Sequence, residues 1–288
     1  MKKLVRFLLF SILLLLSFNT KASAESLSLQ DNSITHAGHN WMTKDSKGGR
    51  LAQGPRLQDN LITWAGHDWI IKDSKGGRLA PGNNVWNPKN VYIDSNGNLR
   101  LKVDYNSALG VWECAQLSMN KSLGYGTYRF YVYGALDALD PNVVLGLYQY
   151  DQNSPDAAAA NYREIDIEFS MWGHDPVVYP NYVNSQYVIQ PYNTPGQQFR
   201  FDTVLSNGQS STHEYKWTPE GIHFKSSYGF YADPPPSYIY QEWDYTGNNV
   251  PTDGLETIRM NLWLYNADKP MYGKKQEIII TGFEYIPL

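Results

Sequence analysis

The chain has 288 residues, a formal net charge of −4 and 18% charged residues. With no basic run beyond the first few residues, this balance argues against nucleic acid or an anionic membrane surface as a partner. The lone Cys114 cannot form an intramolecular disulfide, so the fold relies on packing, and Cys114 reads as a buried small hydrophobe rather than a nucleophile.

The first 24 residues read as a secretory signal. "MKKLVRF" is a basic opening, "LLFSILLLLSF" an apolar run too short to span a bilayer comfortably, and "KASA" a small-x-small cleavage pattern ending at Ala24. The mature protein is therefore expected to be secreted, extracellular or periplasmic, with no membrane attachment. A tandem duplication follows. "LQDNSITHAGHNWMTKDSKGGRLAQGPR" (29–56) and "LQDNLITWAGHDWIIKDSKGGRLAPGNN" (57–84) share 20 of 28 positions. Solenoids need at least three repeats. One copy is thus expected to be surplus: 57–84 takes an edge-strand position and 25–56 is an extension, loosely ordered or lying along the outside. The duplication also explains His36, His39 and His67 more simply than a metal site does.

From here the chain reads as strands. "NLRLKVDYN" (98–106) follows an Asn-Gly turn. Next come "VWECAQLSMN" (111–120), "GYGTYRFYVYG" (124–134) and "VVLGLYQYD" (143–151). "SPDAAAANY" (154–162) is the one short helical candidate. It leads into "REIDIEFSMWG" (163–173), "NSQYVIQPY" (184–192), "THEYKWTPEGIHFKSSYG" (212–229), "TIRMNLWLY" (257–265) and "KQEIIITGFEYI" (275–286). "DPPPSY" (233–238) is a surface loop, because proline lacks the ladder donor. Many short strands with turn residues between them indicate an all-β sandwich or barrel, and residues 57–288 suffice for one such domain. The 22 Tyr and 9 Trp fit this reading. They favour sheet and are also platforms for sugar rings; composition alone does not separate the two.

Within "REIDIEF", Ile165, Ile167 and Phe169 share one strand face and Glu164, Asp166 and Glu168 the other. Neighbouring acids would have Cα atoms about 6.7 Å apart and repel by about 2.5 kcal/mol at an effective dielectric near 20. Glycoside hydrolysis uses two such carboxyls, one donating a proton and one attacking the sugar or activating water. A middle acid can orient the nucleophile and couple the titrations. On a flat strand Glu164 and Glu168 would stand about 13 Å apart at Cα. Retention needs their carboxyls about 5–5.5 Å apart, so catalysis requires a curved sheet. A solvated acidic face, a Ca²⁺ site or a site used only for binding are the other readings.

The "EIDIEF" stretch resembles the catalytic strand of family 16 glycoside hydrolases, in the form without a bulge residue shared by bacterial licheninases. "NNVWNPKNVYIDSNGNLRLKV", "ECAQLSMNKSLGYGTYRFYV", "HEYKWTPEGIHFKSSYG" and "MNLW" (260–263) resemble licheninase segments in the same order, over roughly residues 60–288. The resemblance implies a jelly-roll sandwich of two curved antiparallel sheets with an open polysaccharide cleft. It implies Glu164 as nucleophile, Asp166 as assisting acid and Glu168 as general acid/base in a retaining mechanism. Tyr162, Gln116, Trp172, Asn261 and Trp263 become candidate substrate contacts. No cofactor or metal is implied: the family's calcium-site aspartate aligns with Gly282, and Val85 lies near the place of the cysteine that would pair with Cys114. Gln116, Leu117 and Ser118 replace the family's Glu-Tyr-Arg, which puts linkage preference in doubt. Arg163 stands where many relatives have an acid.

The expectation is a monomeric, secreted endo-β-glucan hydrolase, most like a β-1,3-1,4-glucanase. A transglycosylase and a non-catalytic carbohydrate-binding sandwich are the alternatives.

Overall fold

The computed structural model describes residues 60–152, 154, 161–205 and 209–288. The expected signal peptide, the first repeat copy and most of the 154–162 helical candidate lie outside the described residues. Among these residues sixteen strands follow one another. They are β1 (Leu61–Trp64), β2 (His67–Ile71), β3 (Val85–Trp86), β4 (Val91–Ile93), β5 (Leu99–Asn106), β6 (Val111–Met119), β7 (Gly126–Tyr133) and β8 (Val143–Tyr150). The second half contains β9 (Ile165–Phe169), β10 (Ser185–Ile189), β11 (Gln198–Phe201), β12 (Ser210–Thr218), β13 (Gly221–Tyr228), β14 (Ile239–Tyr245), β15 (Thr257–Leu264) and β16 (Gln276–Pro287).

The strands form two antiparallel sheets. The cleft sheet runs β1-β2-β6-β15-β8-β9-β10-β11, and the back sheet β4-β5-β16-β7-β12-β13-β14. β5 joins them: residues 99–103 pair with β16 and residues 104–106 with β6. The short β3 pairs with β6 in parallel. This is a curved jelly-roll sandwich.

Alternation along the strands builds the core. Ile165, Ile167 and Phe169 are fully buried. Phe169 packs on His213 of β12 at 4.7 Å, and Tyr187 of β10 stacks on Phe224 of β13 at 4.7 Å. Several buried polar groups between the sheets are paired, as burial demands. Tyr187 donates to Ser226 at 2.6 Å and Tyr215 to Gln149 at 3.0 Å. His213 sits between the Ser226 and Ser211 hydroxyls, and burial drives its pKa down to about 3, so it is a neutral core residue.

The second repeat copy forms the β1–β2 hairpin, whose two-residue turn is Ala65-Gly66 with positive φ at both positions. β2 then lies along β6. Trp64 and Ile71 are buried in this hairpin, where the first copy has His36 and Thr43. Either replacement would lose apolar burial. His67 packs edge-on against Phe283 at 5.5 Å.

The strand expected over 163–173 is shorter, Ile165–Phe169. Tyr162 and Arg163 before it and Trp172 after it have positive φ, which no strand accommodates. The sequence pattern does not distinguish β11 and β14. The first is only four residues long, and the second follows the proline loop directly.

Candidate active site

Three devices place the acids. β9 lies between β8 and β10, with Asp166 opposite Tyr148 and Val188, and Glu168 opposite Gly146 and Gln186. Glu164 immediately precedes the strand, and its carbonyl accepts from the Gln190 N–H at 3.2 Å. Arg163 turns away from the acids. Its guanidinium pairs with Asp151 at 2.7 Å and donates to the Thr252 carbonyl at 2.8 Å, while its own carbonyl accepts from Gln149 at 3.0 Å. The left-handed turn at 162–163 is thereby pinned, and Glu164 with it.

Glu164, Asp166 and Glu168 line one cavity of about 310 Å³. Amides hold two of them. Gln186 donates to Glu168 at 2.6 Å and is held in turn by Gln198 at 2.8 Å. Gln190 donates to Asp166 at 3.0 Å, and Asp166 shares a hydrogen bond with Glu164. Burial raises the proton affinity of all three. It pushes Glu164 up to about 8, with the Glu168 charge adding and Arg259 opposing. Asp166 rises well above the carboxylate range through burial and its two glutamate neighbours. Glu168 rises through burial, against the Gln186 bond. The shared hydrogen bond favours the proton on Asp166 and charge on Glu164, which accepts it.

The opposite wall comes from β15 and β6. Asn261 and Gln116 are register partners, and both line the cavity with Trp263. Asn261 donates to the Tyr148 hydroxyl at 3.3 Å, while its buried Oδ1 has no partner. Gly146 lies between Asn261 and Glu168 in the same register row. A Cβ there would come 2.5 Å from Asn261 Oδ1. The missing side chain keeps the floor open between Glu168 and the Asn261 wall.

Of the other candidates, neither Tyr162 nor Trp172 lines the cavity. Tyr162 stacks on Tyr150, which does, at 4.9 Å and 20°. Trp172 lies 4.9 Å from the Arg200 guanidinium, which also covers Tyr182 at 4.3 Å. Cys114 is buried, its Sγ 3.4 Å from Asn84 Oδ1, and burial pushes the thiol up to about 12, so it is no nucleophile at ordinary pH. Among the described residues no group of three or more His, Cys, Asp or Glu is arranged to hold a metal ion.

No family model matches the sequence, and no curated protein matches it. Solved structures do match the fold. The β-glucanase of Bacillus licheniformis superposes with a TM-score of 0.55 at 19% identity, over 80% of this chain and 93% of that one. The protein has the fold of the family 16 glycoside hydrolases. A Bacteroides ovatus mixed-linkage-glucan GH16 protein, in complex with a G4G4G3G product, gives 0.54 at 13% identity over 76% and 94% of the two chains. An immunostimulatory antigen and pseudo β-1,3-glucanase of Mycobacterium tuberculosis gives 0.53 at 18%, over 76% and 91%.

Within this family 16 fold, several cavity residues are not marked by the sequence pattern: Lys72, Gly146, Tyr148, Tyr150 and Arg259. Each lies at an alternate position of a strand, or just beyond one. Alternation therefore carries the signal, but the order of strands across the sheet does not follow from it.

Proposed function

We propose that the protein is a secreted, retaining endo-β-glucan hydrolase acting as a monomer, with mixed β-1,3-1,4-linked glucan as its leading substrate. The carrying observation is the set of three carboxyls on one cavity floor, two of them held by amides. The fold shared with the β-glucanase and the glucan-product complex supports the polysaccharide reading.

In this reading a glycosidic bond lies across the cavity between β9 and β15. Glu168 gives its proton to the leaving oxygen as the Glu164 carboxylate attacks the anomeric carbon, forming a glycosyl-enzyme. Glu168, now ionised, takes a proton from water as that water displaces Glu164 and frees the sugar. The Gln186 bond occupies Glu168 Oε2 and leaves the other oxygen for the proton. Asp166 donates to Glu164, and that bond must weaken as Glu164 loses charge to the sugar. Asn261 Oδ1, buried without a partner, is placed to accept from a sugar hydroxyl.

Reducing-end release by the mature protein tests this, on mixed-linkage β-glucan with laminarin, xyloglucan and agar alongside. Release that Glu164→Gln abolishes is the expected result. Retention of polysaccharide with no release on any substrate would favour the binding sandwich. Oligosaccharide redistribution without net release would favour the transglycosylase.

A further inference from the structure

Two cations, Lys72 and Arg259, line the same cavity as the acids. Neither has a carboxylate within 4.0 Å among the described residues. Three shielded arginines elsewhere in the fold are ion-paired, while Arg200 rests on Trp172 and Tyr182 and donates to the Tyr182 hydroxyl and the Val183 carbonyl. Arg129 pairs with Glu214 and Glu284, Arg163 with Asp151, and Arg100 with Asp94 and Glu277. Arg259 acts on Glu164 at longer range, lowering its proton affinity, but neither cation has a carboxylate in ion-pair contact, and a partly shielded charge left so is costly.

The surroundings of both side chains present charge without neutralising it. Arg259 lies over Tyr150, 4.6 Å from its ring centre, and donates to the Gln152 side chain at 3.3 Å. Its buried Nε has no partner. Lys72 rests 4.3 Å from the Trp86 ring and donates to two neutral oxygens, the Ala80 carbonyl and Gln116 Oε1. Burial, and then the charge of Arg259, pull Lys72 down to about 8. The two cations thus repel across the cavity. Sugar hydroxyls could accept their N–H groups but would leave that repulsion in place. An anion would satisfy the donors and remove the repulsion together.

We propose that the β2–β6–β15 side of the cleft is a subsite for an anionic sugar, so that the polymer taken carries carboxylate or sulfate groups. This rests on the glycan-cleft reading above and moves its substrate from a neutral mixed-linkage glucan to an acidic β-glycan. The fit of Arg259 is the more specific of the two, since a guanidinium meets carboxylate and sulfate alike with paired donors.

The test is binding, separated from catalysis. A Glu168→Gln protein is run by affinity electrophoresis through gels containing neutral mixed-linkage β-glucan, the same glucan carboxymethylated, or the same glucan sulfated. The protein's net charge of −4 gives it no general attraction to polyanions. The expected result is about tenfold tighter retention by at least one acidic polymer at low salt. Comparison of the two acidic gels identifies carboxylate or sulfate. The preference should shrink at high salt and disappear in an added Arg259→Gln change, with Lys72→Gln as a second variant. Equal retention on all three gels, or a preference that survives Arg259→Gln, overturns the inference. Wild-type cleavage of the neutral glucan is followed separately. Cleavage without an anion preference overturns this inference alone; a preference without cleavage of any polymer overturns the hydrolase reading alone.

Discussion

Two charged arrays in this molecule are built in opposite ways. Across the outer face of the back sheet, Glu284, Arg129, Glu214, Lys225 and Glu242 stand in register on five strands, with alternating sign. Arg129 meets Glu214 at 2.6 Å and Glu284 at 2.7 Å, and Lys225 meets Glu214 at 2.7 Å. On the cleft sheet, three acids of one sign run along a single strand, answered by two glutamine amides. The first array sets each cation between two acids and holds strands together. The second raises its own proton affinities and stores the cost in the fold. The residue types are the same; the geometry decides which charges stabilise and which remain available for chemistry.

The contrast can be broken from either side. The largest effect is expected in the cleft, where Glu168→Gln should lower kcat by about 10²–10⁴-fold while the protein stays folded. Steady-state rates with a thermal melt of the same sample check it. On the back sheet the outcomes should exchange. Arg129→Met should cost about 3–5 kcal/mol by leaving Glu214 short of its partner, although Lys225 softens the loss, and kcat at a temperature where the variant is folded should be unchanged. Urea unfolding with parallel rates reads both. A drop in kcat there would mean the back sheet shapes the cleft. A smaller change tests the floor between the two walls. Gly146→Ala, whose Cβ must displace Asn261 Oδ1, should lower kcat/KM by about tenfold through mispositioning, with kcat of Asn261→Ala affected in the same direction.

Much of the site is legible in the amino-acid sequence. The period-2 pattern of "EIDIEF" separates the core face from the acidic face, and the segments resembling licheninases point to Asn261, Gln116 and Trp263, which do line the cavity. Tyr162 and Trp172, the candidates flanking that strand, lie beyond the lining, where the positive-φ turns at both ends of β9 place them. Alternation cannot reveal such turns. Nor can it show that Ser118 faces Arg259 across β6 and β15, since these strands are far apart in sequence. The cationic side of the cleft therefore becomes visible only with the sheet order.

The most direct measurement is the pH dependence of stability in Glu164→Gln against wild type. Glu164 and Asp166 titrate as a pair, with Glu164 raised to about 8 from an ordinary value near 4.5, so the native pair holds a proton, shared across its hydrogen bond, that the unfolded chain releases over that interval. Wild-type stability contributed by this group is therefore present below pH 4.5 and lost as pH rises towards 8. The neutral glutamine suffers no such loss. Equal melting temperatures are expected near pH 4.5, with a higher melting temperature for the glutamine variant near pH 8 and no glucan hydrolysis by it at either pH. A variant that melts lower than wild type at pH 8, or that still cleaves glucan, would contradict the claim that these acids are held uncompensated for chemistry.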